Sequence, residues 1–275
     1  MRRIVYGIAA MMFLGMATVA MAAKTTPTDF KAGYLELDAL KQKLADHGLE
    51  VLGTHQVADS NDYTAVVYTC GDLRQAARLA GRGFAAVLRI LHNGKDRELV
   101  VSNPEYYMRA FLQKDYKEGM AKPVNDALAA ALGTLTPTDD SLKTKKLAKY
   151  NFMMSMPQYD DFARVGKGET KALCEKLETN AKDRIIFKLN ITEDGSSVLY
   201  GVALPAEIEK FNETLDTMGQ SHLLPYTVLV ENGEANILHA KYYLALSFPR
   251  LSMTEFMKIM SVPGDIKEAF KADFE

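Results

Sequence analysis

Two pairs of adjacent tyrosines are the side chains of this sequence best suited to recognise a ligand. Tyr106 and Tyr107 form the first pair, and Tyr242 and Tyr243 form the second. Tyrosine combines a large apolar ring with a polar tip, which suits an amphipathic ligand or a protein partner. The polar residues close to these pairs in sequence are Asn103, Arg109, His239 and Lys241. We predict that all of these side chains line an amphipathic groove, with aromatic packing inside a sheet as the alternative.

A run of methionines supplies side chains that are able to ligate a soft metal ion. Met153, Met154 and Met156 lie close together in sequence, and thioether sulfur is a soft ligand that favours Cu(I). Methionine is also an adaptable core filler. Packing is favoured by Phe152 beside the run and by three methionines at helical spacing, Met253, Met257 and Met260. We therefore expect no cofactor, with copper bound by the methionine run as the alternative.

Two cysteines, Cys70 and Cys174, allow three states. A disulfide between them would close a loop of about 100 residues and contribute about 4–5 kcal/mol on the chain-entropy model. Cys174 lies in a helical pattern beside Leu173 and before Leu177, which directs it towards the core. Neither cysteine belongs to a Cys-x-x-Cys motif. Two separate buried thiols, a disulfide in an oxidising compartment, and a reactive Cys70 near a helix N-terminus all stay open.

The sequence carries no strong catalytic motif. It lacks His-Glu-x-x-His, Gly-x-Ser-x-Gly, Gly-x-Gly-x-x-Gly and the phosphate-binding P-loop. No two histidines share the spacing of metal ligands; they are His47, His55, His92, His222 and His239. We therefore favour a non-enzymatic protein, while an enzyme whose site is assembled from dispersed residues stays open.

The first 22 residues have the pattern of a secretory signal peptide. Arg2 and Arg3 give a positive head, and residues 4–20 are mainly apolar. Ala20-Met21-Ala22 then supplies small residues at the two positions that a signal peptidase reads. We predict cleavage after this segment and a mature chain in the periplasm or outside the cell. No later stretch is apolar for long enough to predict a membrane span in the mature chain.

The net charge of the chain argues against some classes of binding partner. The formal net charge of −2 becomes −4 once the two leader arginines are removed. Affinity for nucleic acid comes mainly from basic residues, so we expect no nucleic-acid partner. The expected partner is an unidentified small molecule or a periplasmic protein.

The predicted helices and strands that carry these side chains indicate an α+β protein with two related lobes. Residues 24–133 form the first lobe, residues 134–150 a linker rich in Thr, Pro, Asp and Lys, and residues 151–275 the second lobe. Each lobe is expected to be an antiparallel sheet with helices packed on one face.

Both lobes repeat one predicted order of elements: helix, two strands, helix and a hairpin. Asn93-Gly94 and Asn232-Gly233 mark the hairpin turns, because both central positions of a type I′ turn need positive φ. A tyrosine pair follows each turn and is assigned to a strand. We infer an internal duplication from this repeat. Ser252 with Glu255 predicts a capping box at the start of a final helix.

Two segments resemble a bacterial family of unknown function. The segment Leu224-Pro-Tyr-Thr-Val-Leu-Val-Glu-Asn-Gly233 and the segment Val100-Val-Ser-Asn-Pro-Glu-Tyr-Tyr-Met108 are similar to the domain-of-unknown-function family number 302. Ser102 stands where that family usually has glycine. The resemblance covers about half of the mature chain and implies a small α+β fold likened to the saddle of TATA-binding protein. It implies no activity, and the DNA binding of the saddle protein does not carry over to an acidic, exported chain.

These observations predict an exported binding or interaction protein. An apolar or amphipathic ligand or partner would lie in a groove between the lobes. The alternative is a periplasmic accessory protein for a soft metal, copper, or for redox chemistry.

Overall fold

The computed structural model describes residues 24–275, so the predicted leader lies outside the described residues. Helices and antiparallel sheets confirm the predicted α+β class. The strands are β1 (Thr25–Pro27), β2 (Asp29–Gly33), β3 (Glu50–Gln56), β4 (Tyr63–Thr69), β5 (Leu88–Asn93), β6 (Glu98–Ser102), β7 (Thr136–Pro137), β8 (Ser141–Lys143), β9 (Ala163–Lys167), β10 (Ile185–Asn190), β11 (Ser197–Val202), β12 (Tyr226–Glu231) and β13 (Glu234–Ile237). The helices are α1 (Leu37–Asp46), α2 (Gly71–Ala77), α3 (Pro104–Leu112), α4 (Lys122–Leu132), α5 (Thr170–Asn180), α6 (Ala206–Glu209), α7 (Phe211–Thr214), α8 (Ala240–Ser247), α9 (Met253–Lys258) and α10 (Val262–Ala272).

Two main sheets share one strand order. The first runs β3-β4-β5-β6-β2-β7 and the second runs β10-β11-β12-β13-β9, while β1 and β8 form a small separate pair. Apart from the added β7, each main sheet places its own first strand in chain order, β2 or β9, beside its last, β6 or β13. We call residues 24–150 the first half and residues 151–275 the second half. The repeated order agrees with the duplication inferred from the sequence, and the domain boundaries stay a prediction.

The central strands are buried on both faces. Every residue of β4, Tyr-Thr-Ala-Val-Val-Tyr-Thr, is buried, and so is every residue of β11. Strands covered on both sides are rich in apolar and β-branched residues because neither face meets water. The sheet faces are therefore already covered, which differs from an open sheet available to a ligand.

One face of the first sheet meets the second half. Directly paired residues on neighbouring strands share a face, and the register links His55, Ala65, Leu91, Val100 and Lys31 in one row across the sheet. Side chains of this face reach residues 209–225 of the second half at several points. The row therefore runs along the seam between the halves.

The tyrosine pairs lie on helices, so their assignment to strands is wrong. β6 ends at Ser102, and Asn103 caps α3 by accepting the N–H of Glu105, with Pro104 in the first turn. Asparagine at the cap and proline in the first turn both favour a helix start. In the second half His239 takes the capping position of α8. These cap signals override the preference of tyrosine for strands.

The two Asn-Gly signals have different outcomes. Asn232 (φ 53°) and Gly233 (φ 75°) both have positive φ and connect β12 to β13, as predicted. Asn93 instead pairs with Glu98 as the last residue of β5, and Arg97 carries the positive φ. The Asn93 side chain bonds both the backbone and the carboxylate of Asp96, which holds a wider loop.

The predicted linker is part of the first half. Its residues form β7, which pairs with β2, and β8, which pairs with β1. Leu147 is fully buried in the core. Strand pairing satisfies the backbone of this polar stretch, so it does not behave as a free tether.

A glycine permits the closest approach of the two sheets. A Cβ added to Gly53 of β3 would lie 2.6 Å from the carbonyl oxygen of Ile186 in β10. The buried side chains of both halves belong to one continuous core. Within residues 24–275 no helix combines the length and the apolar character needed to cross a membrane.

Candidate functional site

The tyrosine pairs form the contact between the halves instead of an open groove. The hydroxyl of Tyr106 donates to the carbonyl of Leu246 at 2.7 Å, and the hydroxyl of Tyr242 donates to the carbonyl of Ala110 at 3.3 Å. Since α3 and α8 occupy equivalent places, these are two versions of one reciprocal bond. Each of the four tyrosine rings is at most 5 % exposed. The expectation of a groove lined by them is corrected accordingly, because the rings fill the space themselves.

The polar residues predicted beside the tyrosines do not converge on one site. Asn103 and His239 cap opposite helices. Arg109 binds Glu105 and Glu118, and Lys241 follows His239 at the start of α8. Burial and the nearby ammonium groups lower the pKa of His239 below its ordinary value. Asn103, Arg109 and His239 therefore have local structural roles.

A cleft that the sequence did not reveal opens at the seam; we call it cleft I. It has a volume of about 320 Å³. The first half contributes Lys31 of β2 and Val100 of β6, and the second half contributes residues 215–220 and 248–251. Cleft I therefore exists only where the two halves meet.

The lining of cleft I joins buried apolar side chains to exposed charges. Val100, Phe248 and Leu251 are each at most 8 % exposed and form its apolar part. Lys31 binds Glu98 at 2.8 Å, and Arg250 pairs with Asp140. In both pairs the cation is the more exposed partner, at 53 % against 26 % and at 67 % against 6 %. Within each of these two pairs the positive end is therefore the more accessible to a ligand, while Asp216 adds an exposed negative charge to the lining.

An equivalent recess, cleft II, lies on the second sheet. Arg164 of β9 binds Glu234 of β13 at 2.8 Å, which repeats the Lys31–Glu98 pair of β2 and β6. Asn236 occupies the place of Val100, since each is the partner of the corresponding cation in the strand register. Cleft II has a volume of about 620 Å³, and its other lining residues include Asp160, Asp161, His239 and Lys267. It is an open, polar recess lined by the second half alone.

Two buried histidine–carboxylate pairs join the halves, and sequence spacing gave no sign of them. His222 binds Asp29 at 2.8 Å, and both side chains are at most 4 % exposed. His55 binds both oxygens of Glu209 at 2.9 Å. The Glu209 carboxylate also accepts the N–H groups of Ala58 and Leu204, which satisfies a charge that would otherwise be costly to bury. These pairs fix the two halves against each other.

Arg89 adds a third polar link across the seam. It is 5 % exposed and reaches the hydroxyl of Tyr243 at 3.2 Å and the carbonyl of Pro225 at 3.0 Å. Tyr243 in turn donates to the carbonyl of Leu223. The second tyrosine pair is therefore held by a buried polar network.

The methionines are largely at the surface, so their assignment to packing is wrong. Met154 is 92 % exposed and Met153 is 48 % exposed. Met253, Met257 and Met260 are 39 %, 54 % and 63 % exposed. Their aromatic neighbours do the packing, because Phe152 stacks on Phe256 with ring centroids 5.6 Å apart.

Both cysteines are free thiols. Cys174 is buried on α5, as predicted, whereas Cys70 is half-buried before α2 of the first half. Burial raises the pKa of the Cys70 thiol. The disulfide is therefore not formed, and the raised pKa disfavours a reactive thiolate at Cys70.

Among residues 24–275 no cluster of three or more His, Cys, Asp and Glu side chains is arranged to hold a metal ion. Comparisons with protein-family models, curated proteins and solved structures find no match for this chain. The resemblance to the family of unknown function therefore stays a prediction.

Proposed function

We propose that this chain is an exported binding protein that holds a small amphipathic ligand in cleft I. The observation that carries the proposal is the lining of cleft I, where buried Val100, Phe248 and Leu251 meet the exposed tips of Lys31 and Arg250. Ligand sites combine apolar surface with polar groups that fix orientation, and cleft I offers both, with a lining that is more polar than apolar. The volume of about 320 Å³ suits a ligand of modest size.

The chemistry of cleft I favours a ligand with an apolar body and an anionic group. Glu98 and Asp140 are screened by their own cations, while the ammonium and guanidinium tips extend towards water. Glu255 also lines the cleft, but its carboxylate is engaged with the hydroxyl and N–H of Ser252. Asp216 is the exposed acid that opposes an anion here. The proposal assigns binding and no reaction.

The location at the seam agrees with a binding role. The buried pairs His55–Glu209 and His222–Asp29 hold the walls in place before a ligand arrives. A preformed site loses less conformational freedom on binding, so more of the contact energy contributes to affinity. The predicted groove between lobes is thus relocated from the tyrosines to cleft I.

The test uses 1-anilinonaphthalene-8-sulfonate, which has an apolar body and one sulfonate, titrated into the mature chain by fluorescence. Replacing Val100 with Asn copies the residue of cleft II into cleft I. We expect affinity to fall about tenfold, as for the loss of one apolar contact worth about 1–3 kcal/mol. Asn236→Val, the reverse change in cleft II, is the matched control and should leave the affinity unchanged.

Because Val100 is buried, its replacement puts the fold at risk. A second variant, Arg250→Gln, therefore tests dye affinity with a change at the exposed rim of the cleft. Circular dichroism checks the fold of each variant. Binding of one dye with weaker affinity in folded Val100→Asn or in Arg250→Gln supports the proposal. The proposal is overturned if the dye binds without saturation. It is also overturned if folded Val100→Asn and Arg250→Gln both bind the dye with the affinity of the wild type.

A further inference from the structure

Exposed methionines gather in two neighbouring segments of the second half. One is the turn over residues 153–156, in which the N–H of Met156 donates to the carbonyl of Met153 at 2.9 Å. The other is α9 with the residues that follow it. Long apolar side chains normally gain their stability from burial, yet Met154 is 92 % and Met257 is 54 % exposed. Packing therefore does not explain these side chains.

A stacked pair of rings brings the two segments together. Phe152 and Phe256 lie with centroids 5.6 Å apart and their planes 24° from parallel. Met153 directly follows the first ring, and Met257 directly follows the second. Met153 and Met257 therefore lie next in sequence to the two rings of one contact, and the three rotatable bonds of each methionine side chain let its sulfur atom take up a range of positions.

The helix carries a second sulfur on the face that bears Met257. Met253 and Met257 are four residues apart on α9, so their side chains share one face. The capping box of Ser252 and Glu255 fixes the start of this helix. One segment is therefore an ordered helix face and the other a short turn, each with at least two thioethers.

Thioethers select soft metal ions. A neutral sulfur donor with no carboxylate beside it binds Cu(I) in preference to Mg²⁺, Ca²⁺ or Mn²⁺, which take oxygen ligands. Glu255 is the acid inside α9, and Ser252 holds its carboxylate. Binding needs no proton release and no redox step, because the thioether is already in its ligating form.

We propose that Met153, Met154 and Met257, with Met156 and Met253 beside them, form a surface site for one Cu(I) ion. The site lies outside cleft I and would give the chain a soft-metal function in addition to ligand binding. It extends the sequence-based copper alternative by the two helix methionines that the structure places at the surface.

The test is an anaerobic titration of Cu(I) into the mature chain against the chromogenic chelator bicinchoninate. The wild type should withdraw one Cu(I) per chain from the chelator. Met154→Leu and Met257→Leu keep the size and apolar character of the side chain and remove the sulfur. We expect each to weaken the apparent affinity at least tenfold. Met120→Leu, at a half-buried methionine of the first half, should bind as the wild type does.

Methyl resonances of ¹³C-labelled methionine give a second measurement with Ag(I) as a redox-inert analogue. The resonances of Met153, Met154 and Met257 should shift together at one equivalent of Ag(I), while that of Met120 stays in place. No withdrawal of Cu(I) from the chelator, or equal binding by the leucine variants, overturns the proposal. None of these methionines lines cleft I, so failure here leaves the proposed ligand function standing.

Discussion

Clefts I and II occupy equivalent positions on the two sheets and share one ion pair. Lys31–Glu98 joins β2 to β6, and Arg164–Glu234 joins β9 to β13. The next position in the register differs, with Val100 in cleft I and Asn236 in cleft II. The opposite wall differs as well. In cleft I this wall belongs to the second half, whereas the sheet belongs to the first half; in cleft II the sheet and the wall both belong to the second half.

The comparison shows how a repeated scaffold can carry two different surfaces. Strand order and register reproduce the backbone positions, and with them the cation and its acid. The apolar character of cleft I comes from Val100, which stands where cleft II has Asn236. It also comes from Phe248 and Leu251, which line the cleft because the two halves meet there. Binding chemistry is thus decided by the contact between the halves more than by either half.

The largest effect is expected from wedging the seam apart. Gly53→Val places a branched side chain against the backbone carbonyl of Ile186, where even a Cβ would lie at 2.6 Å. A backbone atom cannot turn away, so we expect the free energy of unfolding to fall by about 3 kcal/mol, at the upper end of overpacking costs. Equilibrium urea unfolding measures the change.

Gly33→Ala in the same sheet is the control, because an added Cβ meets no atom within 4 Å there. It should cost far less than Gly53→Val. Equal losses in the two variants would show that the approach of β3 to β10 is not a stabilising contact between the halves.

A smaller loss is expected from the reciprocal tyrosine bonds. Tyr106→Phe leaves the carbonyl of Leu246 without its side-chain donor, which costs about 1–3 kcal/mol when the group is buried. Tyr242→Phe should cost less, because the carbonyl of Ala110 still accepts from the side-chain amide of Gln113. The 2.7 Å bond of Tyr106 should cost more to lose than the 3.3 Å bond of Tyr242. Thermal and urea unfolding of both variants and of the double variant test this order. If Tyr242→Phe lowers the free energy of unfolding more than Tyr106→Phe does, the donor–acceptor distance does not decide how much each hydrogen bond contributes to stability.

Local signals in the sequence predict local structure well in this protein. The capping box of Ser252 with Glu255 and the Asn232-Gly233 turn are both confirmed. Each depends on residues within a few positions of one another. The first tyrosine pair lies on a helix because Asn103 and Pro104 begin a helix there, against the β propensity of tyrosine.

The candidate site could not be predicted in the same way. Lys31, Val100 and Arg250 reach cleft I from three distant parts of the chain, and strand pairing together with the seam brings them close. Periodicity also failed for Met253 and Met257, because helical spacing defines a face without saying whether it points inwards. Sequence patterns therefore indicated the fold class and missed where the halves meet.

The caps of α3 and α8 give a test by pH. Asn103 cannot titrate, whereas burial, with Lys241 and Lys267 nearby, lowers the pKa of His239; Asp161 opposes the shift. The unfolded chain, with an ordinary histidine pKa of about 6.5, then binds more protons than the folded chain. The free energy of unfolding should fall as the pH drops below about 6.5, towards the lowered pKa.

His239→Asn copies the cap of the first half and removes this proton. Urea unfolding at several pH values between about 5 and 7.5 should show a shallower pH dependence in the variant than in the wild type. Parallel profiles would mean that His239 contributes nothing to the pH dependence of folding.

The smallest expected effect concerns the charge at the rim of cleft I. Asp216 is exposed, has φ 55° and lines the cleft opposite the two exposed cations. Asp216→Asn removes a negative charge and retains a residue that tolerates this left-handed conformation. An exposed pair of charges interacts by about 0.2–1 kcal/mol, so binding of the sulfonate dye should strengthen by about 1.4- to fivefold. The gain should shrink in high salt, because ions screen exposed charges. A weaker affinity in the variant would mean that the carboxylate of Asp216 assists binding, and that the ligand of cleft I carries a cationic group.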